Sequence, residues 1–269
     1  MTAIFGTDQP SPPHSRLPVP LLSVVIPTFN EAETVVQVLQ QLLTLTIDIQ
    51  IIVVDDGSND GTRGRILNFL GPSELVNSKQ TDADGALAEF YRAGDTELQI
   101  ITHHSNRGKG AALRTGFRAA RGEYILVQDA DLEYDPQDIP RLLEPLTRGE
   151  ADVVYGSRFL NGRHGQLSWP HRWGNWFLTS ASNWFSGAQL TDMETCYKAF
   201  RSDLLGSMVI QQNRFGVEPE LTAKFLRRGV RLVEIPVSYR ARNYSQGKKI
   251  GVRDLWQTLY CIVRYGIRD

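Results

Sequence analysis

Two aspartates one residue apart, Asp129 and Asp131, follow an apolar run from Tyr124 to Val127. The run predicts a strand that is buried on both faces of a parallel sheet. Side chains at alternate positions of an extended backbone point the same way, so both carboxylates can reach one object. Their mutual repulsion favours a divalent cation between them, and Mg²⁺ in such sites leaves positions open for water and phosphates. The alternative is that the two acids only cap the following turn.

Two further apolar runs end in polar groups. One precedes Asp55 and Asp56, and another leads through Pro27 to Glu31. Open α/β sheets bind ligands where their parallel strands end, at the carboxyl edge of the sheet. Three strands that bring polar groups to that edge predict a nucleotide pocket with a metal beside it.

The order of the elements predicts an α/β fold. Apolar runs typical of strands alternate with helical patterns; the strands are expected near 22–29, 49–55, 98–103, 123–128 and 151–156, and the helices near 31–45, 60–70, 109–121 and 136–148. That alternation implies a parallel sheet with helices on both faces. The segment 71–97 contains many acids and no long apolar run, and we expect it to be a solvated surface insertion.

Composition excludes several classes of protein. The 269 residues carry a formal net charge of −1, which argues against a nucleic-acid partner. Cys196 and Cys261 are too few for a disulfide framework or a thiolate metal site. No apolar run approaches the roughly 20 residues of a membrane span, and no signal-peptide pattern opens the sequence. Residues 1–20, with five prolines, predict a disordered leader.

Seven segments together resemble inverting family 2 glycosyltransferases of the GT-A fold, in the branch of dolichol-phosphate mannose and polyprenol-phosphate glucose synthases. The segments are VVIPTFNE (24–31), VVDDGSNDGT (53–62), NRGKGAALRTGF (106–117), VQDADLEYDP (127–136), VVYGSRF (153–159), TDMETCYKAF (191–200) and VEPELTAKFLRRG (217–229). The resemblance implies a Rossmann-like three-layer sandwich with a mostly parallel central sheet, as one domain over 21–247. It also implies inverting transfer of a hexose from GDP-mannose or UDP-glucose to a polyprenyl or dolichyl phosphate.

The resemblance further implies a set of donor-binding residues. They are Pro27, Phe29, Glu31, Asp56, Lys109, Asp129 and Arg242. Pro27 and Glu31 would help to hold the base and ribose, and Asp56 would lie against the base. Lys109 would neutralise the diphosphate or close over the base, and Arg242 would close on the diphosphate as part of a mobile lid, 238–249. Glu31 could also be an acid at a helix N-terminus, and Lys109 an exposed lysine at a glycine-rich helix start.

The metal ligands and the catalytic residues also follow from the resemblance. The implied ligands of Mg²⁺ or Mn²⁺ are Asp129, Asp131 and Glu133, and the implied catalytic residues are Asp131, Arg158, Arg172 and Glu194. Arg158 and Arg172 match arginines that bind the acceptor phosphate, a task that suits the bidentate guanidinium. Arg172 could equally be a surface arginine. Glu194 is expected to order the site.

An aromatic segment and a basic tail suggest a membrane surface as partner. The aromatic residues around Arg172 are Trp169, Trp173, Trp176, Phe177, Trp184 and Phe185. They predict either a helix packed on the sheet or an interfacial helix that guides a prenyl chain. From Arg227 onward ten Lys or Arg stand against three acids, and 248–269 predicts a basic amphipathic helix. Its lysines could also form a solvated face. We expect a cytoplasmic protein, peripheral on the cytoplasmic face of a membrane, with a separate membrane subunit as a further candidate partner.

Two other functions compete with lipid glycosylation. A soluble glycosyltransferase would use Glu194 as a base on a sugar or small-molecule acceptor, and a non-catalytic protein would only bind nucleotide sugars. The segment 211–215 nearly matches the QxxRW signature of processive synthases but lacks its Trp. Glu218 and Glu220 could belong to the site or be acids at a helix N-terminus.

Overall fold

One sheet forms the centre of the protein. The computed structural model describes residues 19–71, 75–81, 86–160, 169–206, 208–242 and 252–267. Its strands are β1 (Leu22–Thr28), β2 (Ile49–Asp55), β3 (Leu75–Thr81), β4 (Leu87–Ala93), β5 (Thr96–Thr102), β6 (Tyr124–Val127), β7 (Val153–Ser157), β8 (Lys198–Arg201) and β9 (Leu232–Pro236). Over the described ranges these strands make a nine-stranded sheet in the order β3-β4-β5-β2-β1-β6-β8-β7-β9. Only β4 and β8 run against the other seven, so the expected mostly parallel sheet is confirmed.

Helices cover both faces of this sheet. They are α1 (Val35–Leu43), α2 (Thr62–Leu70), α3 (Lys109–Ala119), α4 (Ile139–Thr147), α5 (Trp169–Ser186), α6 (Val217–Arg227) and α7 (Val252–Ile267). Buried residues of α1, α2 and α4 pack on one face, and those of α3, α5, α6 and α7 pack on the other. In β1 the side chains of Val24 and Ile26 join the first layer and Val25 joins the second, as strand alternation requires. The three-layer sandwich predicted from the sequence is therefore confirmed.

The first helix begins at Val35, four residues later than expected. The N–H of Glu31 donates to Thr62 Oγ1 at 2.9 Å, and the N–H of Ala32 donates to Asp60 Oδ2 at 3.1 Å. Side chains of the β2–α2 loop and of the first residue of α2 thus satisfy the amides that a longer helix would have left open. The chain after β1 is held in a turn, which keeps Glu31 at the edge of the sheet.

The segment 71–97 is not the solvated loop that its acids suggested. β4 pairs antiparallel with both β3 and β5 and extends the sheet. Ala88 and Tyr91 are buried, and Glu89, only 5% exposed, pairs with Arg63 of α2 at 2.5 Å. The prediction was wrong because Glu89 and Arg92 interrupt the apolar residues of the seven-residue strand β4, so no long apolar run marks it.

The strands that matter for the site end at the same edge. Thr28 of β1 lies opposite Asp55 of β2, and Val25 of β1 lies opposite Val127 of β6. Because these strands are parallel, the residues that follow them converge at the carboxyl edge of the sheet.

Two predicted segments lie outside the described residues: most of the leader, up to residue 18, and positions 243–251 between β9 and α7. The expected C-terminal helix is present as α7, and it leaves Trp256 66% and Ile267 65% exposed. None of the described helices is long and apolar enough to cross a membrane.

Candidate active site

Asp129 follows β6, and Lys109 begins α3 at the same edge of the sheet. The Lys109 ammonium lies 2.8 Å from Asp129 Oδ1, 3.3 Å from Glu218 Oε1 and 2.9 Å from Cys196 Sγ. Burial acts to raise the pKa of Asp129, but the charge of Lys109 and the hydrogen bonds from Cys196 and Lys109 outweigh it and leave that pKa below its ordinary value. With a side chain only 13% exposed, Lys109 is not the exposed lysine of the alternative interpretation.

Asp131 is the second acid of the pair. Its pKa is raised to about 7, first by burial and then by the negative charges of Asp129 and Glu133. Arg242 opposes this charge: its Nε lies 3.9 Å from Asp131 Oδ2 and donates to the Asp131 carbonyl at 3.0 Å. Two partly buried carboxylates that repel each other are a donor set that suits a hard divalent cation. The pair therefore fits Mg²⁺ or Mn²⁺.

Glu133 is engaged elsewhere. Its Oε2 accepts from the Tyr239 hydroxyl at 2.7 Å, and its Oε1 accepts from the Arg242 N–H at 2.9 Å. Across the described part of the chain, no three His, Cys, Asp or Glu side chains form a group that could hold a metal ion. Both Glu133 oxygens thus have protein partners, and its place in a set of three carboxylate ligands stays a prediction. Glu133 anchors the chain after β9, and the two aspartates remain as candidate ligands.

Glu31 and Arg242 meet across the edge of the sheet, although they lie far apart in sequence. Arg242 Nη1 lies 3.1 Å from Glu31 Oε1, and Nη2 lies 2.6 Å from Oε2. Oε2 also accepts from Thr34 Oγ1 at 2.8 Å. The structure thus brings together two of the predicted donor-binding residues. The remainder of the predicted lid, 243–249, falls outside the described residues.

Asp56 is 2% exposed and bonded within the protein. Its Oδ1 lies 2.7 Å from His103 Nδ1, and its Oδ2 accepts from the N–H groups of Arg107 and Gly108 at 3.0 and 2.7 Å. His103 continues the chain to Thr115 Oγ1 at 3.0 Å. Both oxygens thus have partners within the protein, and the contact of Asp56 with a donor base stays a prediction. Asp56 orders the loop that precedes α3.

Pro27 and Phe29 occupy different positions on β1. Pro27 lies inside the strand, opposite Val54 of β2. Phe29 follows the strand and is 42% exposed at the carboxyl edge. An exposed ring at that position can stack on a planar ligand, so Phe29 is better placed than Pro27 to contact a base.

Arg158, after β7, is held by Asp192. Its Nε and Nη2 donate to the two Asp192 oxygens at 2.7 Å each, and its backbone N–H donates at 3.0 Å. Its guanidinium also lies 5.1 Å from the centre of the Tyr239 ring. Asp192 thus holds the Arg158 guanidinium in place, and the contact of Arg158 with an acceptor phosphate stays a prediction. Nη2 also reaches Asn175 Oδ1 of α5 at 3.4 Å.

Glu194 lies in the loop before β8. Its Oε1 is buried and finds no hydrogen-bond partner among the described residues. Burial raises the pKa of Glu194 to about 7, and the charge of Glu218 adds to that effect, against Lys198 and Arg158. A carboxyl group with a free oxygen and a pKa near neutrality can accept a hydrogen bond from a ligand or transfer a proton.

Lys198 was missed in the sequence. It begins β8, is fully buried, and donates to Glu218 Oε2 at 2.6 Å and to the Met193 carbonyl at 3.0 Å. Its ammonium lies 4.6 Å from the centre of the Tyr155 ring. Glu218 therefore lies between two lysines, Lys198 and Lys109. The available signal was a lysine inside the short run Tyr197–Phe200, since a buried strand position tolerates a charge only when it is paired.

A cleft of about 580 Å³ opens along the first half of α5. Its walls combine aromatic rings with a cation and include Phe159, Trp169, Arg172, Trp173, Asn175 and Trp176. The Arg172 guanidinium lies 5.3 Å from the centre of the Trp169 ring. Trp173 and Trp176 are 59% and 60% exposed, so the aromatic segment is only partly a core helix.

The family follows from a comparison with known proteins. The model of glycosyl transferase family 2 matches residues 23–72 and 75–207, more than half of the chain. The chain belongs to glycosyl transferase family 2. The matched part of this glycosyltransferase contains both aspartates after β6, Lys109, Arg158 and Glu194.

Two relatives of this glycosyltransferase are similar over most of their length. Undecaprenyl-phosphate mannosyltransferase of Micrococcus luteus is 30% identical over 235 residues, which cover 84% of this chain and 86% of the relative. Polyprenol monophosphomannose synthase of Mycolicibacterium smegmatis is 28% identical over 256 residues, which cover 91% of this chain and 86% of the relative.

Solved structures of other glycosyltransferases share the fold. Glucosyl-3-phosphoglycerate synthase from Mycobacterium tuberculosis, in complex with Mn²⁺, UDP and glucosyl-3-phosphoglycerate, matches with a TM-score of 0.62 at 20% identity. The match covers 93% of this chain and 81% of that chain. At this identity the likeness concerns the fold alone, and it confirms the expected GT-A architecture.

Proposed function

We propose that this family 2 glycosyltransferase transfers one hexose, with inversion, from a nucleotide sugar to the phosphate of a polyprenyl phosphate. The observation that carries the proposal is the cleft along α5, where Arg172 lies among exposed tryptophan rings. A polyprenyl phosphate combines an anionic head with an apolar chain, and both parts find a partner there. The printed names of the two relatives, which refer to undecaprenyl phosphate and polyprenol, support the same acceptor class.

The donor would lie across the carboxyl edge of β1, β2 and β6. Phe29 would stack on the base, and Glu31 would accept from a ribose hydroxyl. Lys109 and Arg242 lie at this edge and would bind the diphosphate. Both are paired with carboxylates, so donor binding would exchange these partners for phosphate oxygens. GDP-mannose and UDP-glucose both contain the base, the ribose and the diphosphate that these contacts require.

Asp129 and Asp131 would hold Mg²⁺ or Mn²⁺. A divalent cation at such a site stabilises the negative charge that develops on a leaving diphosphate. Asp129 would have to release Lys109, and Glu218 would keep that lysine at the edge of the sheet because its Oε1 is already 3.3 Å from the ammonium. The Mn²⁺ in the similar solved structure supports a divalent metal.

An oxygen of the acceptor phosphate would attack the anomeric carbon on the side opposite the diphosphate. The bond from that carbon to the diphosphate oxygen breaks as the new bond forms, which inverts the configuration. A phosphate is already ionised at neutral pH, so this attack needs no general base. Arg172 would bind the phosphate, and the Arg158–Asp192 pair would fix the wall behind it.

We also place the chain at the cytoplasmic face of a membrane. Trp184 of α5 and Trp256 of α7 are 82% and 66% exposed, and the two helices pack against each other. Tryptophan is favoured at the boundary between lipid and water, and the basic tail would add attraction to anionic lipid. This supports peripheral binding.

A second candidate is transfer to a sugar or small metabolite with Glu194 as general base. The buried free oxygen of Glu194 and its pKa of about 7 favour this alternative, because a base should titrate near the working pH. The two candidates differ in whether Glu194 is required for transfer.

A transfer assay tests the proposal. The protein is given a short polyprenyl phosphate, Mg²⁺ or Mn²⁺, and labelled GDP-mannose or UDP-glucose in parallel. We expect label in the organic phase from one donor, loss of that label in Asp131→Asn, and at least a tenfold loss in Arg172→Gln. Arg148→Gln, at a 61% exposed arginine directly after α4, is the matched control. Donor hydrolysis without any lipid product would refute the acceptor.

A further inference from the structure

The loop 211–213 lies between the Lys109 loop and the C-terminal helix and contacts both. On the first side, the Asn213 carbonyl accepts from the N–H of Ala111 at 3.1 Å. Arg114 of α3 donates to the Ile210 carbonyl at 3.0 Å and to Asn213 Oδ1 at 2.7 Å. The first half of α3, which begins at Lys109, is therefore attached to this loop by two hydrogen bonds and to the preceding Ile210 by a third.

The two glycines that flank Lys109 allow the loops to approach closely. A Cβ at Gly110 would overlap the carbonyl oxygen of Gln212, and one at Gly108 would overlap that of Asn213. Gly108 also has φ +98°, which side chains other than glycine rarely adopt. The backbone of Lys109 thus lies directly against 212–213, and a shift of that loop must move the base of the lysine.

On the other side the loop is attached to α7. Gln212 Nε2 donates to the Tyr265 hydroxyl at 2.8 Å, and Arg264 Nη2 donates to Gln211 Oε1 at 3.0 Å. Tyr265 is fully buried. Glu220 of α6 supports the loop from below by accepting from the N–H groups of Gln211 and Gln212 at 2.7 and 2.8 Å.

The helix that anchors the loop has a second face with a different environment. Trp256 and Ile267 of α7 are 66% and 65% exposed, whereas Cys261 and Tyr265 are buried. Gly216, after the loop, lies close to Cys261, since a Cβ there would approach its sulfur to 2.6 Å. One helix therefore carries an exposed apolar face and, on its inner face, the attachment of a loop that supports the donor lysine.

We propose that Tyr265 and Gln212 are positioning residues for Lys109, through which the state of α7 sets the affinity for the nucleotide sugar. The proposal deepens the proposed function, because it takes Lys109 to bind the donor diphosphate and α7 to meet a lipid surface. The contacts run from the Tyr265 hydroxyl through the Gln212 side chain to its backbone, which lies against Gly110. When α7 is held on a lipid surface, the loop 211–213 becomes less mobile with it. Donor binding then costs less conformational entropy, so the affinity for the donor rises.

The test is nucleotide binding, which requires no acceptor. Calorimetry with UDP and with GDP, each with Mn²⁺, gives the dissociation constant of the intact chain. We expect Tyr265→Phe to weaken binding about fivefold, the worth of one hydrogen bond, and Gln212→Met to weaken it by the same factor. Tyr124→Phe removes a buried tyrosine hydroxyl that donates to the Leu146 carbonyl, away from the loop 211–213, and should leave the constant unchanged.

A double-mutant cycle separates positioning from general destabilisation. In Lys109→Met the affinity for the diphosphate falls, and adding Tyr265→Phe should lower it no further, because Tyr265 acts through Lys109. Full additivity of the two effects, or wild-type affinity in Tyr265→Phe, would overturn the proposal. Loss of lipid transfer by the wild type would instead count against the proposed function and leave this result standing.

Vesicles of anionic phospholipid without polyprenyl phosphate test whether α7 influences nucleotide binding. We expect them to tighten nucleotide binding by the wild type several-fold and to have little effect on Tyr265→Phe. An equal effect on both proteins, or none on the wild type, would show that α7 does not set donor affinity through Tyr265.

Discussion

The ammonium of Lys109 lies 2.8 Å from Oδ1 of Asp129, the first acid of the candidate metal pair. The same ammonium is 3.3 Å from Glu218, and the second acid, Asp131, faces the guanidinium of Arg242 instead. Two cations of the protein thus balance the carboxylates at this edge of the sheet. Binding of a metal and a diphosphate would release both cations toward the phosphates, so the charge of the site is redistributed rather than created.

When Lys109 is replaced, a bound metal ion should take over the neutralisation of Asp129. In Lys109→Met, Asp129 and Glu218 lose a buried partner, and we expect the free energy of unfolding to fall by about 3 kcal/mol. Mn²⁺ should restore more stability in this variant than in the wild type, because it meets no competing ammonium at Asp129. Melting temperatures across a Mn²⁺ titration measure both effects. Arg65→Met, at an exposed cation of α2, is the control, and equal stabilisation of variant and wild type by Mn²⁺ would refute the argument.

Arg242 should contribute to donor binding more than its neighbour Arg240. Arg242 is paired with Glu31 at 2.6 Å and its side chain is 19% exposed, whereas Arg240 is exposed. We expect Arg242→Gln to raise the KM for the nucleotide sugar about tenfold, as expected for one lost charge-assisted hydrogen bond. Arg240→Gln should leave KM within twofold. Similar KM values for the two variants would mean that the ion pair of Arg242 with Glu31 only stabilises the fold and does not contribute to donor binding.

The strands at the site were predictable because β1, β2 and β6 are continuous apolar runs that end in acids. Such runs predict strands that are buried on both faces of a parallel sheet. The carboxyl ends of parallel strands meet at one edge of the sheet, so the position of the site follows from the order of the elements. The aspartate pair after β6 was found for the same reason. The sequence pattern was sufficient here because the two aspartates directly follow the strand that positions them.

The partners of buried charges were not predictable in this way. Asp56 is bonded to Arg107, 51 positions away, and Lys198 to Glu218, 20 positions away. Asp192 occupies Arg158 from 34 positions away. A carboxylate in a sequence does not reveal whether a distant donor will satisfy it, and burial makes such a donor obligatory. The sequence therefore marks Asp56 and Arg158 as candidate ligand-binding residues but does not reveal the internal partners that hold their side chains.

The pKa of Glu194 predicts a dependence of stability on pH. The folded state raises this pKa from 4.5 to about 7, so it holds the proton more tightly than the unfolded chain does. The resulting stabilisation is present below about pH 4.5 and is lost as pH rises through about 7. Glu194→Gln has no carboxyl group to titrate at this position. As pH rises from 5 to 8, its free energy of unfolding should therefore increase relative to that of the wild type by on the order of 3 kcal/mol. Urea unfolding at several pH values checks this, and parallel curves would contradict it.

The same variant separates the two candidate reactions. If the acceptor is a lipid phosphate, Glu194→Gln should keep transfer within about tenfold of the wild type, because no proton has to be removed from the nucleophile. If Glu194 is a base for a sugar hydroxyl, the rate should fall by roughly 10²- to 10⁴-fold and lose its acid limb. The assay is the initial rate of transfer as a function of pH at saturating donor.

Trp184 and Trp256 should bind a lipid surface by a contact that salt does not weaken. We expect Trp184→Ser and Trp256→Ser each to reduce sedimentation with anionic vesicles several-fold, with melting temperatures unchanged because both rings are mainly exposed. Val209→Ser, at a 73% exposed apolar residue outside α5 and α7, is the matched control. High salt removes the attraction of the basic tail but leaves the apolar contact. The wild type should therefore retain part of its binding in high salt, and the double tryptophan variant should retain none. Retention by that variant equal to the wild type would show that these helices do not meet the lipid.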